Sequence, residues 1–195
     1  MNVLDSMREQ IILDFTPAWG LNDPAHQVKH FSAVEKCGNE INQRLGLGYD
    51  GRLILLVAFF HDMFAWSRIN HHDMSGTWVR GTDYPLITEL SFEDRQMVEF
   101  GCREHRASFK GIFASEFSEL MNSADRELPG DVNAMVTRAV QYRVARGMSE
   151  HEAYAPAVEH IKEKFGTDGY ARYPDFYLDA FGTELAKQRE DIRNL

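Results

Sequence analysis

An unbroken apolar run, Leu53-Ile54-Leu55-Leu56-Val57-Ala58-Phe59-Phe60, stops at His61-Asp62. Such a run belongs to a buried element. Elsewhere apolar positions recur at helical spacing. Val34, Gly38 and Ile41 follow His30 on one face, and Asp125 continues the stripe of Phe117 and Met121. No long segment alternates apolar and polar residues, and no Asn-Gly or Asp-Gly joins two β-rich runs. The pattern predicts an all-α fold.

Helices are predicted over 2–14, from Asp23-Pro24 to about 45, and over 50–66, 74–90, 91–105, 112–127, 131–146, 149–165 and 175–193. Asp23-Pro24 offers an N-cap followed by Pro in the first turn. Gly46-Leu47-Gly48 offers a C-cap. Ser91 to Asp94 and Ser149 to Glu152 are capping arrangements, and Gly166 is a stop signal after a helix that Pro156 could kink. The polar stretch Arg68 to Gly81, with His71, His72 and Asp73, reads as a loop leading into the helix at 74–90. Pro129-Gly130 breaks the chain. With no linker and no repeat, the reading is one domain over 1–195. Its motif-bearing core lies at about 20–128, and the helices of 129–195 pack on it.

Composition narrows the function classes. The 195 residues suit one sizeable core. A formal charge of -9 argues against a general nucleic-acid binder, which needs a basic face. A small phosphorylated ligand needs only a few local Arg residues and stays open. Cys37 and Cys102 form neither a disulfide scaffold nor a zinc motif and read as reduced, buried thiols. No stretch has transmembrane length, and Met1 to Glu9 lacks a signal-peptide pattern, so no membrane partner and a cytoplasmic location are expected. The size is compatible with a homodimer.

The apolar surroundings make four polar residues conspicuous. His61 and Asp62 end a buried run, Asp125 lies on a core-facing stripe, and His30 heads another. Buried imidazole and carboxylate are costly unless something satisfies them. A divalent metal does so, because these donors suit Zn, Mn, Fe, Co or Ni.

The order His30 … His61-Asp62 … Asp125 resembles the HD superfamily of metal-dependent phosphohydrolases. Three contexts carry the likeness. They are Asp23-Pro24-Ala25-His26 followed by His30, Val34, Gly38 and Ile41; the apolar helix ending in His61-Asp62; and Ala124-Asp125-Arg126. The resemblance spans about 20–128 and implies an HD-type helical bundle. It implies that His30, His61, Asp62 and Asp125 hold one divalent metal (Mn, Fe, Zn, Co, Ni or Mg). A water activated by that metal would hydrolyse a phosphoester or phosphoanhydride of a small metabolite, most readily a nucleotide. His72 and His105 stand in the order of the two extra histidines by which some relatives bind a second metal, and otherwise would face the substrate phosphate. Arg106 and Arg126 are candidate phosphate contacts. His26 either orients its helix turn or is exposed. The acidic residue that several relatives carry just after the pair is missing here, where Met63, Phe64, Ala65 and Trp66 stand; Asp73 is a candidate replacement. Two other classes remain open: a non-catalytic nucleotide-binding or interaction protein on the same fold, and an HD-type di-iron oxygenase with six ligands.

Overall fold

The apolar run forms the centre of an all-helical protein. A computed structural model of the chain describes residues 2–23 and 26–195. The elements are α1 (Val3–Trp19), α2 (Val28–Leu45), α3 (Gly51–Phe60), α4 (His71–Gly81), α5 (Pro85–Thr88), α6 (Phe92–Glu104), α7 (Glu116–Ala124), α8 (Val132–Val144), α9 (Glu150–Phe165) and α10 (Asp175–Arg193). No strand occurs among the described residues. No described helix is long and apolar enough to cross a membrane.

The chain divides into two compact units. The first comprises 1–128 and 174–180, the second 129–173 and 181–195. In the first unit every residue of α3 from Leu53 to Phe60 is buried, because α1, α2, α6 and α7 pack around it. Two glycines set how closely these helices approach. A Cβ on Gly38 would lie 2.8 Å from Ile54 Cγ2 and 3.4 Å from Ala124 Cβ. A Cβ on Gly101 would lie 2.9 Å from Val57 Cγ2. The second unit is built on the α8–α9 pair. Val132, Met135, Val136, Val158, Ile161 and Ile192 form its apolar cluster. Cys37 and Cys102 are free and buried.

Several boundaries differ from those the sequence predicts. The Asp23-Pro24 start falls partly on undescribed Pro24; the described helix begins at Val28 with Gln27 as N-cap. α1 continues through Pro17 to Trp19, which is buried and stacks edge-on against Phe31. That packing offsets the hydrogen bond Pro17 cannot donate. The 50–66 helix ends at Phe60, and 61–66 form turns. Asn22 holds those turns, donating to Asp62 O at 2.9 Å and accepting from Trp66 N at 3.0 Å. The 112–127 helix begins only at Glu116, capped by Ser115.

The polar stretch is the largest difference. His71, His72 and Asp73 are not loop residues but the first turn of α4. Packing against α6 overrides their weak helical propensity: Ser75, Gly76 and Val79 are buried, and Arg103 fills the space where a Gly76 Cβ would stand. The 74–90 helix is two elements, because Tyr84 precedes Pro85 and is held out of the helical region. The expected caps at Gly46, Ser91 and Ser149 are present, the last as a full capping box, and α9 runs through Pro156 as one element.

Candidate metal centre

Six side chains from five helix ends meet in the first unit. Four come from three C-termini: His61 caps α3, with Asp62 next to it, His105 caps α6, and Asp125 caps α7. Two come from first turns, His30 of α2 and His71 of α4. His61, Asp62 and His105 are only 1–3% exposed. A helix C-terminus carries partial negative charge. Three of them, together with two carboxylates, concentrate negative potential where water cannot screen it.

Asp62 divides the cluster in two. Its Oδ2 faces His61 Nε2 at 3.3 Å and His30 Nε2 at 3.6 Å. Those two ring nitrogens are 3.3 Å apart and lie 3.5 and 3.3 Å from Asp125 Oδ1. On the other side, Asp62 Oδ1 lies 3.2 Å from His71 Nε2 and 3.3 Å from His105 Nε2, and those two nitrogens are 3.3 Å apart. Despite these approaches Asp62 Oδ1 is buried without a partner in hydrogen-bonding geometry. Donors about 2.1 Å from one ion stand about 3.0–3.4 Å from each other in octahedral or tetrahedral sites. Both halves fall close to that spacing. The donor set, the distances and the orphaned carboxylate oxygen fit a divalent cation, and this cluster could hold one.

The rings of His61 and His105 are oriented by their own helices. His61 Nδ1 lies 2.9 Å from Ala58 O and His105 Nδ1 lies 2.7 Å from Cys102 O. With the proton on Nδ1, each ring leaves the Nε2 lone pair toward the cluster. His30 Nδ1 instead reaches Glu127 Oε1 at 2.9 Å. Arg126 braces Asp125 from behind, 3.3 Å from its Oδ2, and also donates to Asn122 Oδ1. Asn122 in turn donates to the carbonyls of Glu104 and Arg106 and so ties the end of α6 to α7.

Within the cluster, imidazoles and carboxylates shift one another in opposite directions. Burial opposes a charge on His30, but Asp125 and Glu127 outweigh it and raise its pKa to about 9. Burial likewise opposes a charge on His61, and Asp62 and Asp125 raise it to about 10. Burial would push Asp62 and Asp125 up, yet the surrounding imidazoles hold both well below the usual carboxylate range. Burial dominates at His105, whose pKa is lowered.

The four residues His30, His61, Asp62 and Asp125 thus come together, and His105 joins them. The place expected of His72 is taken by His71. Consecutive helical residues point about 100° apart, so only one can face the cluster. His72 Nε2 sits 3.6 Å from Asp73 instead. Asp73 does not enter the site either; Arg103 engages it at 3.2 Å, and its side chain is 61% exposed. Arg106 donates to Ile69 O, joining the 105–115 loop to the segment before α4. His26 stands at the rim, its Nδ1 2.8 Å from Asp23 and its Nε2 4.0 Å from Asp62 Oδ2. Sequence reasoning missed His71, Glu127 and Asn22. An exposed-loop reading concealed His71, and nothing local marks the other two. No family model matches the chain, and neither does any curated protein or solved structure.

Proposed function

We propose that the protein is a metal-dependent phosphohydrolase in which Asp62 and the histidines on either side of it would hold a pair of divalent ions. The single observation that carries this reading is the placement of Asp62 between two histidine groups, one carboxylate oxygen to each. His30, His61 and Asp125 would complete one half, and His71 and His105 the other. When bound there, paired divalent ions polarise a phosphoryl oxygen and lower the pKa of a water nucleophile. The chain's own groups then orient and confine the reactants. Arg126 keeps Asp125 in place, and burial of His61, Asp62 and His105 excludes bulk water. His26 stands at the rim of the cluster, where it would meet a bound phosphate.

The resemblance to the HD superfamily supports the same reaction class. A nucleotide is the proposed substrate. An open surface depression of about 550 Å³ is lined by Phe64, Asn70, Asp73, Met74, Thr77 and Trp78. Phe64 follows Asp62 closely in the chain, and Asn70 directly precedes His71. Its size and its mix of aromatic and amide groups suit a nucleoside.

The six-donor set also favours a second reading, a di-iron oxygenase. One experiment separates them. Metal-stripped protein is loaded with Mn, Co, Ni, Mg, Zn or Fe(II) and assayed for phosphate release from a nucleotide and phosphoester panel, with oxygen uptake followed in the Fe(II) samples. Metal-dependent phosphate release that Asp62→Ala abolishes supports the hydrolase. Oxygen uptake with two bound irons and no phosphate release supports the oxygenase. Metal-loaded protein with neither activity makes it a binding protein.

A further inference from the structure

An imidazole that offers Nε2 to a cation must keep its proton on Nδ1, and that N–H needs an acceptor. His61 and His105 find one in their own helices, at Ala58 O and Cys102 O. Both carbonyls belong to a last turn, where the helical donors have run out. His30 has no such resource. It is the third residue of α2, and Gln27 O behind it already accepts from His30 N and Phe31 N. The next carbonyl back, His26 O, accepts from Asn22 Nδ2. The acceptor for His30 comes from 97 residues away, Glu127 Oε1.

Glu127 stands in an unusual backbone state. Its φ is 58°, and among the described residues it is the sole non-glycine with positive φ. α2 ends on the same left-handed geometry at Gly46, with φ 64°. Side chains with a Cβ are disfavoured there, and glycine is the ordinary choice. The turn itself is closed by Glu127 N donating to Ala124 O, a bond any residue but proline would make. What glycine would lack is the carboxylate.

We infer that Glu127 is a positioning residue for the metal centre. It fixes the tautomer and direction of His30, and the fold carries an unfavourable backbone conformation to keep it there. This inference rests on the metal reading proposed above. Its test titrates Co(II) into the metal-free full chain, as wild type, Glu127→Gly and Glu127→Gln, alongside thermal melting of the metal-free forms. Glu127→Gly is expected to weaken Co(II) binding by about 10–100-fold, the range for loss of a partner behind a ligand. Its melting temperature should stay within about 3 °C of wild type, because relief of the backbone compensates for the lost contact. Glu127→Gln keeps an acceptor oxygen and should retain affinity within about fivefold. Unchanged Co(II) binding by the Gly variant would overturn the inference. So would equal loss in both variants with depressed melting, which marks a structural role. A wild type that binds no Co(II) fails differently, by removing the metal reading itself.

Discussion

The histidines at helix ends and those at helix beginnings are held by different means. His61 and His105 sit at C-termini, where free carbonyls orient the ring without help from elsewhere. His30 and His71 sit in first turns, where the backbone offers donors rather than acceptors. His30 borrows a carboxylate from beyond α7, whereas His71 Nδ1 is buried with no hydrogen-bond partner among the described residues. Ring position along a helix therefore decides whether a candidate ligand is fixed locally or by tertiary contacts. The half of the cluster containing His71 is the less firmly arranged one.

Removing the shared carboxylate tests the largest effect. Under the proposed metal reading, Asp62→Ala should weaken metal binding in both halves by more than about 100-fold, beyond the range for an outer partner, as isothermal titration and metal analysis would read. His71→Ala comes next. Under the proposed two-ion reading it should lower the stoichiometry from two ions to one and leave the His30–His61 half occupied. Retention of both ions would break the comparison.

A pH series sharpens it. His30 and His61 have raised pKa values, about 9 and about 10, in the metal-free protein. Their charge therefore stabilises the metal-free fold fully below about 6.5, and that contribution is lost as pH climbs through 9 to 10. The depressed carboxylates stay ionised across this window and do not alter the sign. Metal binding needs neutral rings and reverses the trend. At pH 7 binding should release about two protons, measurable by calorimetry in buffers of different ionisation enthalpy. The metal-induced rise in melting temperature should grow with pH.

Smaller effects lie in the scaffold and at the rim. Gly38→Ala places a Cβ 2.8 Å from Ile54 Cγ2. Overpacking costs about 1–3 kcal/mol, and better helix propensity offsets up to about 1 kcal/mol. A net loss of about 1–2 kcal/mol should appear in chemical denaturation. His72→Ala should leave metal affinity within about twofold, since the ring points away from the cluster. A large loss there would reverse the assignment of His71.

By itself the sequence determined the helical class, the caps at Gly46, Ser91 and Ser149, and four members of the buried cluster, His30, His61, Asp62 and Asp125. These leave a local mark, because each is a polar residue on an apolar stripe, where burial without a partner is costly. Tertiary structure alone decided between His71 and His72. Packing on α6 turned a polar, loop-like segment into the first turn of α4, and that turn sends one ring inward. It also decided the partners behind the cluster residues. Asn22 meets Asp62 across 40 residues and Glu127 meets His30 across 97. No periodicity encodes such a meeting, because it exists only once separate helices have packed.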